Sequence, residues 1–173
     1  MTCSLLLAIA PTSRGFGYIT FAERLPADWG VKEIRSNKNA EALAKIEEML
    51  RIIVPKILVL EDPSHRSCRR SPRVRWLLKD AALLAGREQV AVALCSRHDI
   101  RLMFNGKGKS KDAIAAAIAE ELPALRLWLP RKRRIWESEH HSMAIFEAAA
   151  LALAHYSALT APVAQHPDQL RLL

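Results

Sequence analysis

Glu61 closes the apolar run Ile57-Leu-Val-Leu60, and Glu147 interrupts the run that extends from Phe146 to Ala154. Carboxylates at a strand end and on a helix are suited to a hard divalent ion, which takes oxygen ligands and keeps part of its water shell. Ions held this way activate water and stabilise charge developing on a phosphorus centre. Positive charge gathers near the first of these acids, with Arg66, Arg69, Arg70, Arg73 and Arg75 in the stretch that follows Glu61. Guanidinium groups fork onto phosphate oxygens and tolerate partial burial better than lysine. A second basic stretch carries Gly106-Lys-Gly-Lys109 and Lys111, where glycines permit close approach of a phosphate chain and helix amides bind anions. The spacing is not that of a phosphate-binding nucleotide loop, which argues against an ATPase of that kind. A third run, Arg131-Lys-Arg-Arg134, lies between Trp128 and Trp136. We read its charges as phosphate contacts and the tryptophans as core residues, with base stacking as the alternative for the tryptophans.

The bulk composition agrees with a polyanionic partner. The net charge is +8 and the sequence pI about 9.8, which favours nucleic acid over a neutral or cationic ligand. The chain's 173 residues fit one domain, and a hydrophobic content of 50% suffices for a substantial core. Cys3, Cys68 and Cys95 are odd in number and form no metal-binding pair, so reduced thiols in a cytoplasmic protein are expected. No basic segment precedes the first apolar run, which argues against a secretory signal. The alanine-rich stretch 143–156 reads as too short to span a membrane and contains Glu147, so no membrane is expected as a partner.

The elements that must position these residues can be read in order. Ser4–Ala10 is a continuous apolar strand, and Phe16–Ala22 pairs with it after a turn containing Gly15. Asp28–Arg35 alternates as a half-exposed third strand. Residues 38–53 carry helical spacing with Asn37 or Asn39 as cap, and Lys56–Glu61 is a buried strand. A helix over 72–85 starts on Pro72 and stops at Gly86; Val90–Cys95 is the fifth strand. Helices over 111–120, capped by Ser110, and 142–157 close the domain. Residues 158–173, with Pro162 and Pro167, read as a loosely ordered tail after a domain spanning 1–157. The result is an α/β chain with a mixed central sheet of about five strands flanked by helices.

Residues 9–18, Ile-Ala-Pro-Thr-Ser-Arg-Gly-Phe-Gly-Tyr, resemble the opening signature of the RuvC-type Holliday-junction resolvases, a branch of the ribonuclease H-like superfamily. In that family the stretch is Ile-Asp-Pro-Gly followed by Gly-Tyr at the same spacing. The run around Glu147 is similar to the family's Ala-Asp-Ala-Leu-Ala-Ile-Ala, Glu61 ends the fourth strand as the family glutamate does, and 106–111 resembles its Gly-x-Gly loop and following lysine. The resemblance covers about residues 4–157. It implies a ribonuclease H-like fold and magnesium- or manganese-dependent cleavage of branched DNA by a two-fold dimer, with two ions per site when position 10 is aspartate.

Carried onto this chain, the resemblance makes Ala10 the position of the first catalytic acid. Glu61 and Glu147 become metal ligands, with Glu139 as a further ligand, His140 as a substitute for the missing fourth group and Lys111 as the family lysine. A final helix extended back by two turns brings His140 onto the face of Glu147. The DNA-contacting set comprises Arg14, the Arg66–Arg75 cluster, Lys107, Lys109, Lys111 and residues 131–134. Taken singly, a glutamate ending a strand is often merely solvated; the joint order after a ten-residue signature favours the functional reading for Glu61 and Glu147. Both readings stay open for Glu139 and the histidines.

Ala10 itself has two explanations: a deliberate aspartate-to-alanine replacement, or natural loss of catalysis with binding kept. The preserved Pro11, Gly17, Tyr18, Glu61 and Glu147 favour the first. A nuclease for another nucleic acid, such as an RNA–DNA hybrid, is a further alternative. The helix face Leu77, Leu78, Ala81, Leu84 and Ala85 suits either a dimer contact or the core.

Overall fold

The computed structural model describes residues 4–161. Three antiparallel strands open the chain: β1 (Leu5–Thr12), β2 (Gly15–Ala22) and β3 (Leu25–Glu33). After helix α1 (Lys38–Ile53), strand β4 (Ile57–Glu61) joins the sheet parallel to β1. Helix α2 (Pro72–Arg87) then leads to β5 (Ala91–Cys95), parallel to β4, giving the strand order β3-β2-β1-β4-β5. Helices α3 (Arg97–Met103), α4 (Lys111–Glu121) and α5 (Met143–Thr160) follow, with a 3-10 turn at Pro123–Trp128. This is the mixed five-stranded α/β arrangement that the sequence predicts.

Alternation along β1 and β4 divides the core into two layers. Leu7, Ile9, Leu58 and Leu60 face α1 and α2, whereas Ala8, Ala10 and Val59 face α4 and α5. The predicted apolar face of α2 belongs to the first layer: Leu77, Leu78, Ala81 and Ala85 are buried and Leu84 packs against them. That face is core and offers no dimer contact. Helix α5 is apolar nearly all round, as a central helix must be. It has the 18 residues and apolar composition sufficient to cross a bilayer, but eleven of its residues are buried within the protein.

Gly17 allows α5 to lie close to the sheet. A Cβ at this position would fall 2.4 Å from the backbone of Ala144, so any side chain there would push helix and strand apart.

Several boundaries differ from the sequence reading for identifiable reasons. β3 starts at Leu25, because the whole stretch pairs with β2 through a bulge at Thr20/Phe21. Neither Asn37 nor Asn39 caps α1 through its side chain: Asn37 takes a left-handed backbone, and the Asn39 amide donates to the Arg73 carbonyl. Gly86 lies inside α2, and the chain reverses at Gln89, whose φ is 60°. Helix α5 continues to Thr160 through an exposed last turn, in which the Thr160 hydroxyl donates to the Tyr156 and Ser157 carbonyls. The remainder of the predicted tail, and Cys3, lie outside the described residues. Cys68 and Cys95 are free and buried.

Candidate functional site

The sheet and α5 bring the candidate acids together. β1 and β4 pair as far as Ala8 with Val59, and two residues further along each strand stand Ala10 and Glu61. Ala10 is fully buried against the α5 layer, and Glu61 is only 3% exposed at the end of β4. Glu147 enters from the second turn of α5. These three positions meet at the carboxyl ends of adjacent strands, as the sequence order predicts.

Cations occupy the space between them. The Arg70 guanidinium donates through Nε to Glu61 Oε2 at 2.6 Å, through Nη1 to the Pro11 carbonyl at 3.0 Å and through Nη2 to Glu147 Oε2 at 3.4 Å. Arg97 Nε donates to the other Glu61 oxygen at 3.0 Å. Lys111 pairs with Glu147 Oε1 and lies 3.0 Å from Glu139 Oε2. Three carboxylates therefore face three basic side chains. Burial alone would raise the Glu61 pKa; the charges and hydrogen bonds of Arg70, then Arg97, outweigh it and leave the carboxyl below its ordinary value. Burial likewise works against the charge on Arg70, and Glu147 and Glu61 together restore it and more.

This donor set does not fit a two-metal centre. Such a centre needs several oxygen ligands free to approach the ions, and position 10 supplies a methyl group. Both oxygens of Glu61 are already engaged by guanidinium groups. Among the described residues no three His, Cys, Asp or Glu side chains converge as metal ligands. What the arrangement can do is hold a charge-balanced cluster at the carboxyl ends of β1 and β4, with Lys109 and Arg101 adding positive charge in the adjoining cleft.

The remaining predicted residues separate by role. Glu139 and His140 precede α5, which begins only at Met143, so they do not share its helical face with Glu147 as the extended helix required. Glu139 reaches the centre from a loop through Lys111, whereas His140 Nδ1 lies 2.7 Å from Ser142 Oγ at the start of α5. Arg73 and Arg75 are braces, donating to Thr12 and Asn39 and to the Cys68 and Arg70 carbonyls. Arg14, Arg66, Arg69, Lys107 and Lys109 are exposed, as are residues 131–134. Trp128 and Trp136 are exposed too, at 44% and 77%, so the expectation of core tryptophans fails there. Their segment forms no element that packs on the sheet.

Arg97 is the residue that sequence reading missed, because no element is predicted between the fifth strand, ending at Cys95, and the Gly106 loop. The signal was present: Ser96-Arg-His-Asp99 is a capping box, and both of its reciprocal bonds form. It starts α3 immediately after β5 and so places Arg97 beside Glu61. The buried Ser96 and the Asp99 carboxylate also hold that helix start in position.

Comparison with solved structures gives the fold a name. Thermus thermophilus RuvC aligns over 90% of this chain and 96% of its own, with a TM-score of 0.63, at 16% identity in a complex with a Holliday junction substrate and 17% in a second structure. The yeast mitochondrial Holliday junction resolvase Ydc2 aligns over 88% of this chain and 77% of its own at 14% identity, with a TM-score of 0.57. No protein-family model and no curated protein matches the chain. The likeness establishes a RuvC-type, ribonuclease H-like fold.

Proposed function

We propose that this protein binds branched DNA on a RuvC-type scaffold and that, in this chain, the former metal position is filled by its own arginine, so that it binds without cutting. The fold supports the DNA reading through its likeness to a RuvC solved with a Holliday junction, and the charge of +8 fits the same partner. The observation that carries the non-cutting half is Arg70 spanning Glu61 and Glu147 beside Ala10. Replacing one aspartate removes one ligand; it does not supply a guanidinium to the other two. The charge balance of Arg70, Arg97 and Lys111 belongs to the whole sequence and favours natural loss of catalysis over a single deliberate replacement.

The rival reading is an endonuclease disabled only at residue 10. The order of Glu61 and Glu147 along the chain favours it, and magnesium or manganese would then be the cofactor. A cleavage assay on four-way-junction DNA with either ion, comparing this chain with Ala10→Asp, separates the two. We expect intact DNA with both proteins. Cleavage by Ala10→Asp would establish the nuclease reading and remove the arginine-filled one. Competition with linear duplex and an RNA–DNA hybrid identifies the ligand; a preference for the hybrid would overturn the branched-DNA assignment.

RuvC-type scaffolds act on junctions through two-fold symmetry, so a homodimer belongs to this proposal. Since the predicted α2 face is core, the contact must use other surface, and Trp76 and Leu83 are the large apolar groups that α2 leaves exposed. Light scattering should give twice the 19.4 kDa chain mass at micromolar concentration. A monomer would remove the dimer from the proposal.

A further inference from the structure

Ile135 is 100% exposed and its neighbour Trp136 77% exposed, an unusual pairing at the tip of a single turn. The turn is not loose. Glu137 N donates to the Arg134 carbonyl at 3.0 Å, closing Arg134–Glu137 as a four-residue turn with the two apolar residues at its centre. The Glu137 carboxylate fastens it twice more, accepting from Arg134 N at 3.0 Å and from Arg131 Nη2 at 3.1 Å. The Arg134 guanidinium lies 5.7 Å from the centre of the Trp136 ring.

We infer that this clamped turn is a wedge that stacks on nucleobases exposed at a DNA branch point, a contact separate from the carboxylate centre. It rests on the branched-DNA reading above. Scattered surface apolar residues need no explanation, but two adjacent ones at a braced tip make a protruding apolar surface. The occupant follows from its setting. Arg131, Lys132, Arg133 and Arg134 lead directly into the tip with charge suited to phosphates, and a large planar indole offers the face on which any base can stack. One groove runs from this segment to the centre, lined by Arg131, Arg133, Glu139 and Lys111 among others. The groove also carries Asp112 and Glu137 beside these cations, and it gives a strand held at the centre a route towards the wedge. Intact duplex buries its bases in the stack; a branch point leaves terminal base pairs with an open face. The wedge thus supplies preference for structure, which phosphate contacts alone do not give.

The test uses the full chain with Trp136→Ala and Trp136→Phe, changes at an exposed position that leave the core untouched. Anisotropy titrations compare a four-way junction with linear duplex of equal base-pair number, and a junction carrying 2-aminopurine at the branch point reports stacking. Loss of a base–indole stack corresponds to about 5- to 150-fold weaker junction binding. We expect that loss for Trp136→Ala, with duplex affinity within about twofold, substantial recovery in Trp136→Phe, and a 2-aminopurine response that only Trp136→Ala abolishes. Equal weakening on both DNAs, or none, would overturn the wedge. Unchanged junction binding with lost binding to anionic phosphatidylserine vesicles would overturn it in favour of a membrane contact. If the unmodified chain does not prefer the junction at all, it is the underlying function that fails, a result distinct from these.

Discussion

Replacing Arg70 with methionine removes the charge at the centre while keeping most of the side chain's volume. Arg70 and Glu147 are each 15% exposed at their side chains and Glu61 only 3%, so the charges left behind are poorly hydrated. Removing one partner of a buried ion pair costs about 3–5 kcal/mol, because the other charge is stranded. Here the stranding is incomplete, since Glu61 keeps Arg97 and Glu147 keeps Lys111. The lower end, about 3 kcal/mol, is therefore expected. For a chain of this size that corresponds to a fall of about 6–12 °C in Tm. Urea and thermal unfolding of the parent, Arg70→Met, Glu61→Gln and the double variant would measure it. The double variant should recover at least about 1 kcal/mol relative to additivity, because Glu61→Gln removes the charge that Arg70 answered. The deficit of Arg70→Met should also shrink as pH falls and Glu61 takes up its proton. An Arg70→Met protein as stable as the parent, with additive effects in the double variant, would refute the claim that the arginine bridges these acids.

Two further expectations follow from single residues. The Glu61 pKa is lowered on folding, so its contribution to stability is complete above the ordinary carboxylate value of 4.5 and is lost as pH falls through the lower, folded value. Unfolding free energy measured by urea titration from pH 6 downwards should accordingly fall less steeply in Glu61→Gln than in the parent; parallel profiles would contradict the assignment. Gly17→Ala places its methyl 2.4 Å from the Ala144 backbone, so α5 must shift. Overpacking of this kind costs about 1–3 kcal/mol, and a Tm unchanged within a degree would show that α5 does not lie so close to β2.

The architecture was legible because its period is written plainly in the chain. β1 and β4 are unbroken apolar runs, buried on both faces, and α5 is apolar nearly all round; such segments have one stable place, at the centre. The positions of Glu61 and Glu147 followed from the same pattern, as each is a charge at the edge of a buried element. The partners of these acids were less legible. Arg70 reads from sequence as one of five similar arginines, and only tertiary structure distinguishes the one that turns inward from the exposed Arg66 and Arg69 and the bracing Arg73 and Arg75. Arg97 was hidden because a helix of seven residues, without a buried side chain, has no apolar period to announce it. The loop before α5 was misread for a related reason. Local composition allows a helix there, but the chain uses Glu139 to meet Lys111 and Glu137 to clamp a turn.

The most direct test of the central claim is a competition titration of the unmodified chain with four-way-junction and linear DNA in EDTA, repeated in magnesium at matched ionic strength and followed for cleavage. A protein that binds without cutting should prefer the junction without any divalent ion, gain no strengthening specific to magnesium, and leave the DNA intact. Its affinity should fall with salt by roughly 0.9 log units per log unit for each phosphate neutralised. Equal affinity for the two DNAs, binding that requires magnesium, or cut junctions would contradict the central claim.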